Sequence, residues 1–446
     1  MDENTPPVFL PGVYLRTDRR QNKRDVRREK MAVFRPFQAL RPKRQMAQQT
    51  AALPYDVMNE EEAREMAEEA PLSFLHIDRA EVDFPRGVDP YSQDVYQKAA
   101  ENLNRLEQEG VYVQDPVPGF YLYREKKGNS VQTGIVGCAS VEDYENDVIR
   151  KHELTRKEKE EDRIRHVAAC QAHTGPIFLT CPYPEELKKI VAEWIDSHEP
   201  EYDFATKEQV QQTVWVVDDG ELCRRIQEIL QQVPSLYIAD GHHRAASAVR
   251  VGQEMRKTRG AAYTGEEEFN YFLSVLFPAE ELTILGYHRV VSDLNGMDTR
   301  QFLRMLAVDF EILVMSGYRC KPMEKHCFGM YLEGEWYHLR AREGSYSEKD
   351  PVEALDVSIL QKNVLNRLLG ISDPRTDSRL SFVGGSRKLQ EIEEMTDASG
   401  GVAFTLYPTQ IEELMDIADQ GEIMPPKSTW FEPKIYSGLF IHKIGE

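Results

Sequence analysis

The chain has 446 residues, of which 41% are hydrophobic and 29% charged, proportions that are ordinary for a globular protein and too apolar for wholesale disorder. Its formal charge is −20, and this excess of acids argues against nucleic acid as a partner, because phosphate backbones bind clustered cations. No stretch approaches the roughly 18 to 20 uninterrupted apolar residues that cross a bilayer, so no membrane partner is expected either.

Residues 1–30 differ from the rest, because they are polar and carry eight Lys or Arg against five acids. This composition predicts a disordered basic arm, or an overextended start with Met31 as the working first residue. The N-terminus lacks the apolar region of a secretory signal, and the six scattered cysteines form no CxxC pair or dense disulfide pattern. We therefore expect a cytoplasmic protein.

Local patterns predict the elements that follow, beginning with a helix over 60–70 that Asn59 caps. The other predicted elements of the first part, in chain order, are a strand at 75–77, a helix over 91–109, paired strands at 120–123 and 131–139, and strands at 177–180, 214–217, 236–239 and 271–277. The later elements are a hairpin over 328–339, a helix over 352–369, a strand at 402–406 and a helix over 409–419. Helices and strands interleave without a repeat, which indicates an α+β, or mixed α/β, protein.

The most specific local pattern is the run from Asp240 through Gly241 to Arg244, which follows a short apolar strand and opens an alanine-rich helix. A strand-to-helix turn presents free backbone N–H groups and the positive end of the helix dipole. Gly241 permits a close approach or a positive φ, and the side chains of His242, His243 and Arg244 add donors that suit phosphate oxygens. An ordinary Asp-Gly turn is the alternative. Because cationic side chains oppose the dipole there, the pattern favours an anion site.

A second segment is centred on Glu153, which follows His152 and precedes the charged run 156–165. No apolar residue lies between Leu154 and Ile164, and this favours a solvated helix that buries no face. The alternative is that Glu153 faces a polar cleft as a general base.

A third segment lies near the C-terminus, where Pro425 and Pro426 force an extended backbone. Lys427, Ser428 and Thr429 then offer one cation and two hydroxyl groups in succession. A packed loop and a ligand-contacting loop are equally compatible with this pattern. The Walker phosphate-binding pattern is absent, since no GxxxxGK precedes Ser428.

Together the three segments resemble the free serine kinases of the SerK type. Gly241–Arg244 matches the phosphate-binding turn of that family, Lys151–Leu154 resembles its His-Glu pair, and Gly421-Glu422 followed by Pro426–Thr429 is similar to its C-terminal stretch. From Met31 onward, the chain looks like a longer bacterial and archaeal branch of the SerK-related family. The resemblance implies a ParB/sulfiredoxin-like core with large elaborations.

The same resemblance implies a kinase that transfers a phosphoryl group from ADP or ATP to the hydroxyl group of free L-serine or a similar metabolite. The implied site residues are Glu153 as base, with Arg244 and His243 also catalytic; Asp240, Gly241, His242, His243 and Arg244 at the nucleotide phosphates; and Lys427, Ser428 and Thr429 at the acceptor. Mg²⁺ is the implied cofactor, with Asp240 as its nearest carboxylate. A nucleotide-binding regulatory protein without catalysis, as among ParB-like relatives, and a phosphohydrolase are the alternatives.

This interpretation divides the chain into two α+β regions. Residues 31–295 are expected to form the catalytic and nucleotide-binding region. Residues 296–446 are expected to form a C-terminal region that contributes the loop over 425–429 to the same site. The sequence leaves the oligomeric state open.

Overall fold

The structure is a computed structural model, and it describes residues 32–445. The basic arm predicted over residues 1–30 lies outside the described residues. The described chain has a mixed α/β fold with 21 strands and 13 α-helices, which confirms the predicted class. Within this part of the chain, no helix combines the length and the apolar character that a membrane crossing requires.

The strands, in chain order, are β1 (Phe34–Arg35), β2 (Leu40–Pro42), β3 (Tyr112–Gln114), β4 (Phe120–Lys127), β5 (Ser130–Ser140), β6 (Ile149–Arg150), β7 (Ala172–His173), β8 (Ile177–Cys181), β9 (Tyr202–Ala205), β10 (Gln211–Val217), β11 (Leu236–Asp240), β12 (Tyr271–Pro278), β13 (Thr283–Leu285), β14 (His288–Val291), β15 (Phe310–Val314), β16 (Cys327–Leu332), β17 (Glu335–Ala341), β18 (Leu380–Val383), β19 (Val402–Leu406), β20 (Trp430–Glu432) and β21 (His442–Lys443).

The α-helices are α1 (Ala47–Thr50), α2 (Glu60–Glu68), α3 (Leu75–Asp78), α4 (Gln93–Gln108), α5 (Val141–Glu145), α6 (Lys157–Cys170), α7 (Glu185–Ser197), α8 (Gly220–Leu230), α9 (His242–Arg259), α10 (Thr299–Leu306), α11 (Asp356–Leu360), α12 (Leu389–Ser399) and α13 (Ile411–Asp419). A π-helical segment, Gln361–Asn366, follows α11. Turns of 3₁₀-helix lie at Ala80–Asp83, Gly260–Ala262, Glu268–Asn270 and Ala279–Glu281.

Nine strands form the first sheet in the order β6-β11-β8-β12-β5-β4-β10-β9, with β1 paired to β5. The predicted hairpin is the centre of this sheet, since β4 and β5 pair from Tyr121 and Val136 to the turn at Lys127 and Ser130. Strand β11, which leads into the turn at Gly241, pairs with β6 on one side and β8 on the other. The sheet therefore holds the Gly241 turn beside the chain that enters the segment at His152.

Six strands form the second, antiparallel sheet in the order β15-β17-β16-β19-β14-β18. Its strand β14 lies before residue 295 in the sequence but pairs with β18 and β19. One hydrophobic cluster runs from Val275 and Phe277 of the first sheet to Phe328 and Phe404 of the second. The division into two regions near residue 295 stays a prediction.

The segment after β20 returns to the first part of the chain. Strand β21 pairs with β7, bringing His442 beside His173. Further bridges join Leu40 to Ile441 and Ala52 to Ser437. Residues 433–445 thus complete the packing of elements that lie several hundred residues earlier in the sequence.

Most predicted elements are confirmed, and α2 begins with the expected cap, in which Asn59 and Glu62 form a capping box. Two predictions are wrong. The strand at 75–77 is instead helix α3, which Asn102 of α4 ties down by donating to the carbonyl of His76 at 2.6 Å. The helix predicted to begin at 352 begins at Asp356, whose carboxylate accepts a hydrogen bond from the backbone N–H of His326 at 2.8 Å.

Candidate functional site

The turn between β11 and α9 has the predicted strand–turn–helix geometry. Gly241 adopts φ +92° and ψ +30°, in the left-handed region that favours glycine. A Cβ atom there would lie 3.1 Å from Nε of Arg244, because the Arg244 guanidinium folds back over the turn. Arg244 also donates to the carbonyl of Pro176 at 2.5 Å. Glycine is required at this position for its backbone angles and for the contact with Arg244.

The two histidines at the start of α9 face different surroundings. His242 is buried, and its Nε2 accepts a hydrogen bond from the backbone N–H of His152 at 3.4 Å. His243 accepts from the backbone N–H of Arg156 at 3.0 Å through its own Nε2. Burial lowers the pKa of both rings, so each is neutral and carries its proton on Nδ1. His243 lines the large cleft described below, whereas the cleft wall does not include His242.

The segment around Glu153 packs against the C-terminal loop that contains Lys427. The backbone N–H of Met424 donates to the carbonyl of His152 at 2.8 Å. Lys427 lies close enough to Glu153 for its charge and its backbone N–H to lower the pKa of that carboxyl group. Burial raises the pKa of Glu153, and the adjacent Lys427 only partly offsets that effect. Two segments that are distant in sequence therefore meet at one carboxylate.

The loop over 425–429 is held in an unusual conformation. Lys427 has φ +57°, although it carries a side chain. Ser428 is buried, and its hydroxyl donates to the carbonyl of Pro425 at 2.6 Å, while Thr409 donates to the carbonyl of Ser428 at 3.1 Å. The Ser428 side chain thus closes the loop, and of the three predicted acceptor-binding residues only Lys427 lines the cleft.

These segments border a cleft of about 360 Å³. Its wall carries His243 and six cationic side chains, those of Arg79, Arg156, Lys159, Arg163, Arg375 and Lys427. Five carboxylates share the wall, those of Asp56, Asp78, Glu81, Glu153 and Asp162. In a chain with a formal charge of −20, a cleft with a slight excess of cations suits an anionic ligand.

A smaller cavity of about 30 Å³ lies behind the turn and shares Tyr55, Asp78 and Arg163 with the large cleft. Arg244 lines this smaller cavity and not the large cleft. The predicted residues therefore divide. The large cleft brings together Glu153, His243 and Lys427, whereas Arg244 lines the smaller cavity.

Sequence reasoning missed the buried cations of helix α6. Arg163 is 8% exposed and pairs with Asp162 at 2.9 Å, and its guanidinium also lies 4.1 Å from the ring centroid of Tyr55. The expectation of a fully solvated helix is thus wrong, because α6 buries a paired charge and His166 against the first part of the chain. No apolar stripe marks such a face in the sequence.

Asp240 is already paired within the protein. Its Oδ1 accepts from the backbone N–H of Gly241 at 2.8 Å, and its Oδ2 accepts from Nζ of Lys434 at 3.0 Å. Burial raises the pKa of Asp240, but Lys434 and Arg244 outweigh this and hold the pKa below its ordinary value. Lys434 was not foreseen, since nothing in its local sequence marks it.

The residues fit a resident Mg²⁺ poorly. Mg²⁺ prefers oxygen ligands, and both oxygens of Asp240 are engaged. Among residues 32–445, the one group of three or more His, Cys, Asp or Glu ligand atoms within 4.8 Å of one another is that of His152, Glu153 and His242. Two of its three donors are nitrogen, which suits a transition metal better than Mg²⁺. Asp240 as a Mg²⁺ ligand stays a prediction.

Comparison with known proteins gives a family and several distant structural similarities. No curated protein matches the chain. A free serine kinase in complex with AMP is similar with a TM-score of 0.33 and 15% identity, covering 64% of this chain and 84% of that one. A conserved hypothetical protein from Pyrococcus furiosus gives 0.32 and 15%, covering 65% and 89%. SbnI from Staphylococcus aureus, truncated at its C-terminus, gives 0.32 and 12%, covering 67% and 84%.

These structural similarities are too low to carry an argument about activity. The family match is more extensive, since residues 34–358 match a family described as a protein of unknown function, DUF1015. That range includes the Gly241 turn and Glu153 but ends before Lys427. The chain therefore belongs to the DUF1015 family.

Proposed function

We propose that this protein is a phosphotransferase that moves a phosphoryl group from ADP or ATP to the hydroxyl group of free L-serine or a similar metabolite. The observation that carries the proposal is that Glu153, His243 and Lys427, which come from three distant segments, line one cleft. Phosphoryl transfer requires mainly positioning and neutralisation of charge, and this cleft offers both a carboxylate and an excess of cations.

The nucleotide phosphates are assigned to the first turn of α9. The backbone N–H groups of residues 242–244 have no acceptor within the helix, and the Arg244 guanidinium lies over Gly241 in the space that a side chain would fill. His243 carries its proton on Nδ1 and can donate to a phosphate oxygen. Arg244 supplies positive charge from the inner side of the turn. In this assignment, His242 supports the turn through its hydrogen bond with His152.

Glu153 is assigned as the general base. It accepts the proton of the acceptor hydroxyl while that oxygen bonds to phosphorus, and the P–O bond to the nucleotide breaks with its electron pair leaving on the nucleotide. A base with a raised pKa is the better proton acceptor near neutral pH, and burial raises the pKa of Glu153. Lys427 beside it would bind the carboxylate of an amino-acid acceptor, together with Thr429 two residues further along the chain, while Ser428 holds the loop.

The proposed transfer does not use a Mg²⁺ ion bound to Asp240, because both oxygens of Asp240 are engaged. A Mg²⁺ ion that arrives on the donor phosphates is part of the substrate. Asp240 then serves to hold the turn through Gly241 and to anchor Lys434.

The test is transfer from ADP or ATP to a panel of free amino acids and hydroxy acids. We expect phosphoserine, or the phosphate ester of a similar metabolite, from the wild-type protein. Glu153→Gln should keep nucleotide binding and lose roughly 10²- to 10⁴-fold in transfer rate. The matched control is Glu161→Gln on the exposed face of α6, where Glu161 pairs with Arg165, and it should transfer at the wild-type rate.

Three outcomes would contradict the proposal. Normal turnover by Glu153→Gln would show that Glu153 is not the general base. Loss of nucleotide without dependence on an acceptor would indicate a phosphohydrolase. Nucleotide binding without turnover would indicate a regulatory protein.

A further inference from the structure

A buried arginine of the second sheet binds the backbone of the loop that contains Lys427. Arg289 lies in β14 and is 4% exposed. Its Nη2 donates to the carbonyl of Lys427 at 3.0 Å and to that of Pro426 at 3.3 Å, and its Nη1 donates to the carbonyl of Tyr287 at 2.8 Å. The guanidinium also stacks on Phe382, 4.5 Å from the ring centroid.

These contacts are unusual for a buried cation. Within residues 32–445, the hydrogen bonds of the Arg289 guanidinium all go to backbone carbonyls, and no carboxylate pairs with it. A buried charge without a counter-ion is costly. Burial correspondingly lowers the pKa of Arg289 to about 9. Such a cost suggests that the fork geometry of arginine, which holds two successive carbonyls at once, is needed at this position.

The residue that these bonds fix is itself strained. Lys427 adopts φ +57°, a conformation that persists in residues other than glycine only where the surroundings impose it. In this conformation its carbonyl accepts from Arg289, and Lys427 lines the same cleft as Glu153. The Lys427 ammonium lies 5.6 Å from the ring centroid of Tyr287, the residue whose carbonyl also binds Arg289. The Arg289 guanidinium thus binds the backbone of the loop and also that of Tyr287, whose ring lies beside the Lys427 ammonium.

We propose that Arg289 is a positioning residue, which holds the backbone of Lys427 in its left-handed conformation and so keeps the Lys427 side chain at the wall of the cleft that it shares with Glu153. This inference rests on the proposed function for its catalytic consequence. Its structural part, the placement of the Lys427 ammonium, does not depend on any activity. The second sheet would then act on the cleft through Arg289 as well as through the lining residue Phe382 of β18.

The first experiment measures Lys427 directly in the full chain. Burial acts to lower the pKa of the Lys427 ammonium, but Tyr287, Glu153 and Asp56 outweigh it and raise that pKa. In Arg289→Met, we expect the Lys427 amine to react roughly three- to tenfold faster with an acylating reagent at fixed pH, because the displaced ammonium loses these partners and its pKa falls. Mass spectrometry of the labelled peptide provides the measurement. The control is Arg379→Met, which removes a guanidinium that bonds Asp377 and the carbonyl of Leu369 instead of the loop.

The second experiment measures transfer. Arg289→Met should lower kcat about 100-fold with little change in the KM for the nucleotide, because a displacement of the order of 1 Å costs about that much. The acid limb of the pH profile should also move to higher pH, since Glu153 loses the groups that lower its pKa. Arg289→Lys should restore part of both effects, and it replaces Arg289→Met in the labelling and transfer assays if that variant does not fold.

The outcomes separate the two proposals. Equal labelling of Lys427 in the wild type, Arg289→Met and Arg379→Met would overturn the positioning role, whatever the activity. An unmoved acid limb with a lowered kcat would overturn it as well, since that is the result of general destabilisation. If the wild type transfers no phosphoryl group but Lys427 labels faster in Arg289→Met, the proposed function fails and the positioning role stands.

Discussion

Replacing Gly241 by alanine tests the geometry of the β11–α9 turn. At φ +92°, an alanine carries a backbone cost of about 1–2 kcal/mol. Its Cβ would lie 3.1 Å from Nε and 3.2 Å from Cζ of Arg244, so the guanidinium must move by a few tenths of an ångström. We expect Gly241→Ala to lose about 1–2 kcal/mol of unfolding free energy in urea, and about tenfold in affinity for ADP.

Gly400 provides the matched control for this substitution. It ends α12 with φ +72° and ψ +23°, and a Cβ there would meet no atom within 4 Å. Gly400→Ala should therefore carry a similar cost in unfolding free energy, followed by circular dichroism, and leave ADP affinity, followed by calorimetry, unchanged. Wild-type ADP affinity in Gly241→Ala would refute the assignment of the nucleotide phosphates to this turn. Wild-type stability would refute the left-handed turn itself.

Three further substitutions test other features. Burial raises the pKa of Glu125 from 4.5 to about 7, so its contribution to stability is full below pH 4.5 and is lost as the pH rises through 7. Glu125→Gln should therefore remove up to about 3 kcal/mol of the decline in unfolding free energy with pH, measured by urea titration. An unchanged pH dependence would contradict this. Arg163→Met leaves Asp162 buried without its partner and should cost about 3 kcal/mol of unfolding free energy, whereas a loss below about 1 kcal/mol would show that water solvates Asp162. Asn59→Ala removes the capping box of α2 and should cost about 1 kcal/mol, with thermal melting as the measurement and an unchanged melting temperature as the contrary result.

The sequence predicted best those features that depend on neighbouring residues. The β4–β5 hairpin, the cap at Asn59 and the turn at Gly241 follow from local patterns, and all three are confirmed. The strand at 75–77 failed because three alternating residues do not distinguish a strand from one helical turn. Helix α3 is set by its contact with Asn102, which a local window does not include.

The candidate site, too, could be predicted only where it depends on neighbouring residues. Each motif was visible by itself, but the meeting of Glu153 with Lys427 depends on the hydrogen bond from Met424 to His152, which joins chain segments that are distant in sequence. Arg163 escaped notice because Tyr55, against which its guanidinium packs, is distant in sequence. Lys434 had no local pattern at all. Contacts between distant segments determine which residues share the site, and a local sequence window does not include those contacts.

The return of residues 433–445 to the first part of the chain has a consequence for how the protein is made. Strand β7, the backbone at Leu40 and Ala52, and the carboxylate of Asp240 all find their partners in this stretch. During translation, these backbone groups and the Asp240 carboxylate therefore lack their partners until residues 433–445 have left the ribosome. A fragment cut to the family-matched range of 34–358 would lack this stretch, and we expect it to be recovered mainly as an aggregate.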